Sequence, residues 1–321
     1  MFFGGGEEKP KGKTVVLLDV GSGSVAAALV QLLPEHQPKI FGALRKSLPL
    51  AHSVSAPALA RAVASAAREA LNHTSAVAAR IRGHDKLSHV GEVARADIFL
   101  SPPWTTLEDN WQHEEALTAP LAVAVEEYFG EIPASLHPFG RALASVSNSI
   151  FPEEKTLIAV VNGEVTELLL VHNGNIVGRA TTPLGHHLLL RTLRAHGGFT
   201  EAEARSALLV QPSHIEESLS STAAHFTREF RDVARDLLAD PSAGGPARSV
   251  YVVAHEPAGE WFAKALGGEA LQDLFPEGGM VRALRAHHLT PYVGAHARPD
   301  LFLMLQTIFV DLPAGRQVAA S

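Results

Sequence analysis

The sequence predicts an α/β protein of two domains, in which mixed sheets are flanked by helices. Two separate stretches, 14–44 and 155–181, each contain three apolar runs joined by short polar or glycine-containing turns, the pattern of consecutive antiparallel strands. Each stretch is followed by segments with helical apolar periodicity. The chain has 321 residues, which is long for a single hydrophobic core and favours two domains.

Composition narrows the class of protein. With 46% hydrophobic and 19% charged residues, the chain is expected to fold rather than to remain disordered. A net charge of −7 argues against nucleic acid as the main partner. Cysteine is absent, which excludes disulfides and thiolate metal sites and favours a cytoplasmic location. The apolar run Leu301 to Val310 contains Gln306 and is too short to span a bilayer, so we expect no transmembrane segment and a helix that completes a core.

The most informative stretch is the first strand, turn and strand. Val15 to Leu18 is a continuous apolar run, the turn is Asp19-Val20-Gly21-Ser22-Gly23-Ser24, and Val25 to Leu33 is apolar again. Backbone N–H groups at such a glycine-containing tip can bind phosphate oxygens. Asp19 ends the buried strand, so we expect it at the rim of a cleft, placed to hold a hydrated Mg²⁺, with a fold that survives Asp19→Ala. The alternative is an ordinary hairpin.

The remaining elements of the first half follow in order. Residues 1–13 are expected to form a flexible N-terminal arm, because they are charged and rich in glycine. The pattern predicts further strands at 39–44 and 95–100, and helices at 56–72, 111–129 and 138–150. We expect the first domain to span 14–152.

The second half repeats the opening. Strands are predicted at 155–161, 165–171 and 175–181, and Asn173-Gly174 is typical of a type I′ hairpin turn. Helices are predicted at 184–196, 200–209, 213–239, 258–266 and 300–310, with a buried strand at 249–253. We expect the second domain to span 153–311 and a C-terminal tail at 312–321.

This ordered set of elements resembles the actin-like, or ribonuclease-H-like, ATPase superfamily over about residues 13 to 311. Within it the chain is similar to the branch that contains the pilus-assembly protein PilM and the cell-division protein FtsA. Residues 19–25 resemble the first phosphate loop of that family. Residues 151–185, ending in Thr182-Pro183-Leu184-Gly185, resemble its second phosphate hairpin, and residues 249–254 fall where the adenosine loop should begin.

The resemblance implies which residues would contact ATP if nucleotide binding is retained, with Mg²⁺ held through water by Asp19. These residues are Asp19, Gly21, Ser22, Gly23, Ser24, Asn162, Gly163, Thr166, Glu167, Ala254 and His255.

Departures from the family pattern predict that catalysis is lost. Ala26 stands where the family often has a phosphate-binding lysine, and Val160 stands where it has an acid that places metal and water. His255 stands where paired glycines leave room for the base. Glu164, if it points inward, would repel a triphosphate. We therefore expect no catalytic residue, no meaningful hydrolysis, and no requirement for ATP or Mg²⁺.

The resemblance therefore implies a PilM-like cytoplasmic scaffold, peripheral at the inner membrane, that binds the cytoplasmic tail of an inner-membrane assembly protein; self-association is a further option. Only about 27 residues lie between Pro103 and Glu131, so the family's inserted subdomain is expected to be missing or reduced to a helix. Two alternatives stay open. An FtsA-like filament protein would need a basic amphipathic C-terminal helix, which Arg316 alone does not supply. A sugar or acid kinase would need a catalytic aspartate, and neither Asp97 nor Asp109 is an evident candidate.

Overall fold

The computed structural model describes residues 12–50, 55–84, 90, 92–105, 115–210, 213–239, 247–256, 258–267, 271, 274–275, 280–295 and 300–313. Some predictions lie outside these residues: most of the N-terminal arm, the first turn of the helix predicted from 111, and the last eight residues of the C-terminal tail.

The first sheet opens with a three-stranded antiparallel meander and continues with two parallel strands. The meander is β1 (Lys13–Val20), β2 (Ser24–Leu32) and β3 (Lys39–Ser47). β4 (Val93–Leu100) lies next to β1, and β5 (Ala134–Pro138) lies next to β4, each parallel to its neighbour. β1 is buried along almost its whole length, as the apolar run predicts.

The second sheet repeats this arrangement. Its meander is β6 (Lys155–Val161), β7 (Thr166–His172) and β8 (Asn175–Thr182), and its parallel strands are β9 (Ser249–Ala254) and β10 (Met280–Ala283). The strand orders β3-β2-β1-β4-β5 and β8-β7-β6-β9-β10 correspond strand for strand. The repeated meander that the sequence predicts is therefore confirmed.

The first sheet has a sixth strand, and the second sheet has the predicted hairpin turn. The short β11 (Gly294–Ala295) pairs in parallel with β3, so a late segment of the chain adds a sixth strand to the first sheet. Asn173 and Gly174 have φ angles of 50° and 77°, the two positive values that a type I′ turn requires.

The helices form three layers around the two sheets. The outer face of the first sheet is covered by α1 (Ala56–Arg82) and α2 (Glu115–Phe129). The outer face of the second sheet is covered by α4 (His186–Gly197), α5 (Glu201–Val210), α6 (Ser213–Leu238) and α7 (Ala258–Leu266). Between the two sheets lie α3 (Phe139–Ile150) and α8 (Leu301–Asp311).

The last helix, α8, is the core of the central layer. All ten residues from Leu301 to Val310 are buried, so the prediction that this run completes a core is confirmed. Asp300 caps the helix, since its carboxylate accepts a hydrogen bond of 3.1 Å from the backbone N–H of Leu303. Within the part of the chain that the structure describes, no helix is both long enough and apolar enough to cross a membrane.

Candidate functional site

The β1–β2 and β6–β7 turns, which the sequence marks as phosphate loops, meet each other. The backbone N–H of Glu164 donates a 2.9 Å hydrogen bond to Oγ of Ser22. A Cβ atom placed on Gly163 would lie 2.3 Å from Cα of Gly23, and one placed on Gly23 would lie 2.5 Å from Cα of Gly163. Only glycine permits so close an approach of two backbones. The contact leaves no room for a phosphate group between these two glycines.

The first loop is also held by its own half of the chain. The N–H of Gly21 donates to the carbonyl of Ser24 at 3.0 Å, and the N–H of Leu48 donates to the carbonyl of Gly23 at 2.9 Å. The indole of the buried Trp104 donates to the carbonyl of Gly21 at 3.3 Å. The Gly21 amide is therefore used inside the turn and does not face a ligand.

The second loop is tied to the start of α4. The backbone N–H of His186 donates to the carbonyl of Asn162, and that of His187 to the carbonyl of Gly163, both at 2.9 Å. A Cβ on Gly185 would lie 2.3 Å from the Gly163 carbonyl oxygen, which explains the glycine before this helix. Asn162 is itself buried beside the first loop. Loop and helix therefore form one unit.

Asp19 does not lie at the rim of a cleft, and that expectation was wrong. Its side chain is only 2% exposed. Arg45 Nη2 lies 2.8 Å from one carboxylate oxygen, and Gln306 donates a 2.6 Å hydrogen bond to the other. Strand register explains the ion pair: Asp19 on β1 lies opposite Ala26 on β2, which lies opposite Arg45 on β3, so the arginine reaches across a small side chain.

These contacts bear on the magnesium expectation. Both oxygens of Asp19 already have protein partners, whereas a hydrated Mg²⁺ needs a carboxylate that can face its water shell. In this arrangement the residues do not fit a Mg·ATP complex. Among the residues that the structure describes, no cluster of three or more histidine, aspartate or glutamate side chains is placed to hold a metal.

Arg45 also binds a second carboxylate. Its Nε and Nη2 donate to the two oxygens of Asp300 at 2.6 and 2.9 Å, and its Nη1 donates to Oγ of Ser24 at 2.9 Å. Burial alone would raise the pKa of Asp300, but the Arg45 guanidinium brings it well below its usual value. For Asp19, burial raises the pKa and Arg45 offsets only part of that rise.

His255 fills the place where the adenosine loop was expected. It follows Ala254, the buried last residue of β9, and its ring centroid lies 4.2 Å from that of Phe302 on α8. Its Nε2 lies 3.3 Å from Oγ of Ser24, which connects the second half of the chain to the first loop. Burial lowers the pKa of His255 well below its usual value, and the nearby Arg45 lowers it further. The ring is therefore neutral at neutral pH.

Glu164 points towards α4 and not between the loops. Its oxygens accept hydrogen bonds from Arg191 at 3.0 and 2.7 Å, and one of them lies 2.7 Å from Nδ1 of His187. Burial would raise its pKa, but the hydrogen bonds with His187 and Arg191 lower it to about 2. Its charge is therefore compensated within the second half, so the repulsion of a triphosphate is not expected from this residue.

The second hairpin has a buried carboxylate of its own, Glu167. It lies opposite Val160 in strand register and is fully buried. Its partner is Arg179 on β8, which also donates to Oγ1 of Thr105 at 3.3 Å. The preceding Thr166 donates a 2.6 Å hydrogen bond to the carbonyl of Leu184, so its hydroxyl is used inside the second half of the chain.

Sequence reasoning missed the residues that complete these pairs: Arg45, Asp300, Gln306 and Arg179. Arg45 and Arg179 each lie on the third strand of a meander; the acid lies on the neighbouring strand for Arg179 and two strands away for Arg45. Gln306 is the one amide in an apolar helix, which is also a signal. Asp97, weighed as a kinase base, is engaged by Arg95 at 2.8 Å and His137 at 2.9 Å.

Comparisons with known proteins agree with this architecture. No protein-family model matches the sequence, and no curated protein sequence matches it. Among solved structures, the chain is similar to the ethanolamine utilization protein EutJ from Carboxydothermus hydrogenoformans, with a TM-score of 0.58, 14% identity, and coverage of 94% of this chain and 90% of that one. It is also similar to a PilM–PilN type IV pilus biogenesis complex, with a TM-score of 0.58, 13% identity, and coverage of 94% and 98%. At these identities the likeness concerns the fold alone, and that fold is the actin-like ATPase fold.

Proposed function

We propose that this chain is a PilM-like scaffold that does not turn over nucleotide. The observation that carries the proposal is the direct contact between the two phosphate-loop turns, in which Gly23 and Gly163 approach each other and Ser22 accepts a hydrogen bond from Glu164. In the actin-like fold a nucleotide would place its phosphates between these turns. Because the two turns contact each other directly, the fold needs no bound nucleotide to hold them in place.

The pairing of the buried acids supports the same conclusion. Hydrolysis needs a carboxylate that positions metal or water near the γ-phosphate, and loss of one such group commonly costs about 10² to 10⁴ in rate. Asp19 is engaged by Arg45 and Gln306, and Glu167 is engaged by Arg179. The position opposite Glu167 is Val160, which supplies no acid. These losses together would bring turnover to background.

The proposed partner is the cytoplasmic tail of an inner-membrane assembly protein, with the scaffold peripheral at the membrane. Support comes from the whole-length likeness to PilM in its complex with PilN. A scaffold of this kind acts through its surface, so internal pairing of Asp19 and Glu167 would not impair it. Such tails commonly carry an excess of lysine and arginine, and this chain has a net charge of −7.

Phosphate release from Mg·ATP tests the catalytic part of the proposal. Wild type should be compared with Asp19→Asn, which keeps the size of the side chain and its acceptor for Gln306. We expect both proteins to release phosphate at the rate of the buffer control. Turnover by wild type above that of Asp19→Asn, in independent preparations, would contradict a non-catalytic role.

The partner is tested by affinity capture from detergent-solubilised membranes of the source cells. We expect one inner-membrane protein to be enriched, and a synthetic peptide of its cytoplasmic tail to bind the purified chain. Enrichment only of soluble proteins, or failure of every recovered tail peptide to bind, would contradict the membrane-scaffold proposal.

A further inference from the structure

We propose that Arg45 is an intramolecular latch. Its side chain keeps the β1–β2 turn in contact with the β6–β7 turn, which closes the cleft between them without any bound ligand. The residue lies on β3 and contacts three other elements: the end of β1 through Asp19, the start of β2 through Ser24, and the cap of α8 through Asp300. Asp300 lies 255 residues from Arg45 in the sequence, so this one side chain connects the first two strands with the last helix. Its removal would release all three at once.

All three nitrogen atoms of the Arg45 guanidinium group form contacts. Nε and Nη2 form a paired contact with Asp300 at 2.6 and 2.9 Å, Nη2 also lies 2.8 Å from Asp19, and Nη1 donates to Ser24 at 2.9 Å. A planar fork of donors suits such paired carboxylate contacts, which a lysine ammonium cannot reproduce. The fork therefore sets the position of α8 relative to the first sheet.

The contacts of Arg45 extend to the second half of the chain. Ser24, which accepts from Arg45, lies 3.3 Å from Nε2 of His255, and His255 follows the central β9 of the second sheet. Next to these contacts, the backbone of Gly23 lies against the backbone of Gly163. Arg45 thus fixes the side chain at one end of the first loop while the loop itself lies against the second loop. We infer that the loop contact depends on the latch.

The charge of the latch explains why no ligand is needed. A buried carboxylate such as Asp19 requires a compensating cation, which a metal ion could supply in other circumstances. Here the cation is part of the chain, and an arginine side chain stays charged at any pH that a protein encounters. The contact between the two loops therefore does not depend on the concentration of metal or nucleotide.

The latch can also open, because it is not sealed from solvent. Arg45 and Asp300 border a cavity of about 270 Å³ that His255 and Glu256 also line. Their side chains are 18% and 17% exposed, whereas Asp19 is 2% exposed. Water in this cavity could solvate Arg45 and Asp300 when they separate. The latch is separable from the scaffold role, since a protein of another function could close its cleft in the same way.

Hydrogen exchange measured by mass spectrometry on the full chain tests the latch. Asp300→Asn is the main variant, because asparagine keeps the size and the helix-capping acceptor but loses the charge. Arg45→Lys is the second variant, since it keeps the charge but loses the fork. Lys46→Gln is the matched control: it changes the next residue on β3, whose ammonium pairs with the exposed Glu69 and takes no part in the latch.

We expect both latch variants to exchange about 10-fold faster than wild type at residues 21–24, residues 162–165 and the first turn of α8. Lys46→Gln should exchange like wild type, and Mg·ATP should not change the exchange of wild type. The proposal is overturned if the loops in Asp300→Asn exchange like those in the control. It is also overturned if exchange rises equally across both sheets, because that result would indicate global destabilisation. If Arg45→Lys does not fold, Asp300→Asn decides the question.

Discussion

The two halves of this molecule share one topology but place their buried acids differently. In the first meander the buried acid is Asp19 on β1, and in the second meander it is Glu167 on β7, one strand further along. In both cases an arginine of the third strand supplies the cation: Arg45 on β3 and Arg179 on β8. The negative charge of a carboxylate removed from water must be compensated. Each meander therefore has an arginine on its third strand that reaches the buried acid.

The two pairs also differ in their access to solvent. Arg45 is 18% exposed and shares its charge with Asp300 beside a cavity, whereas Arg179 is 8% exposed and its partner Glu167 is fully buried. The first pair is therefore suited to a contact that can open, and the second to a permanent part of the interior. In both halves the acid that the fold could offer to a metal is engaged internally.

Removing the cation of the buried Glu167–Arg179 pair, called the sealed pair below, should have the largest effect on stability. Arg179→Met leaves Glu167 buried without its cation, so we expect a loss of about 3–5 kcal/mol in the free energy of unfolding, measured by urea denaturation. Arg45→Met should cost less, because water in the adjoining cavity can reach Asp300, and Asp19 keeps its 2.6 Å hydrogen bond from Gln306. The double variant Glu167→Leu with Arg179→Met should recover most of the loss. Equal costs for the two arginine variants would contradict the distinction between a sealed and an accessible pair.

The contact between the two halves can be tested with one methyl group. In Gly163→Ala the added Cβ would collide with the backbone of Gly23, so we expect a loss of about 1–3 kcal/mol in stability. Gly259→Ala is the matched control, since its Cβ would meet no atom closer than 3.8 Å, and in a helix alanine is favoured over glycine. A Gly163→Ala protein as stable as the control would mean that the loops are apart in solution.

The histidines beside the loops predict how stability depends on pH. Burial lowers the pKa of His186 to about 3 in the folded chain from the usual 6.5, and it also lowers the pKa of His255. Between these values the unfolded chain binds more protons, so stability falls as the pH falls below about 6.5, with a slope of up to about 1.4 kcal/mol per pH unit for each histidine. Denaturation of wild type and His186→Gln from pH 7.5 to 5 measures this slope. An unchanged slope in the variant would assign the effect to other groups.

The smallest effect concerns Glu164, whose side chain pairs with His187 and Arg191 of the second half. Its pKa falls from 4.5 to about 2 on folding, so its contribution to stability is present above about pH 4.5 and is lost as the pH falls towards 2. Because the side chain is partly exposed, we expect Glu164→Gln to cost only about 0.5–1 kcal/mol at pH 7, and less at pH 3.5. A larger cost at the lower pH would reverse the assigned sign.

Local patterns predicted much of the fold. Both meanders were predicted because their turns combine glycine or asparagine with flanking apolar runs. The helix predicted to end at Asn72 continues to Arg82, where α1 packs beside α2 and Ser75 donates to the carbonyl of Tyr128. The short edge strands β5, β10 and β11 were not predicted, because their pairing depends on distant neighbours more than on their own residues.

The candidate site was less predictable than the fold. The sequence predicted the turns that follow β1 and β6, but the role of a carboxylate depends on its partners. Arg45 lies on another strand, and Gln306 is separated from Asp19 by 287 residues. The direction in which Glu164 points was left open by the sequence, and its contacts with α4 became visible only in three dimensions. No local pattern contains that information.

We propose that each loop occupies the space that phosphates would need beside the other loop. Calorimetric titration of the purified full chain with Mg·ATP tests this, with Gly259→Ala as a folded control protein. We predict no saturable heat for either protein up to about 1 mM nucleotide. A saturable one-to-one isotherm with a micromolar Kd would contradict the claim, because it would require the two loops to separate and admit the phosphates.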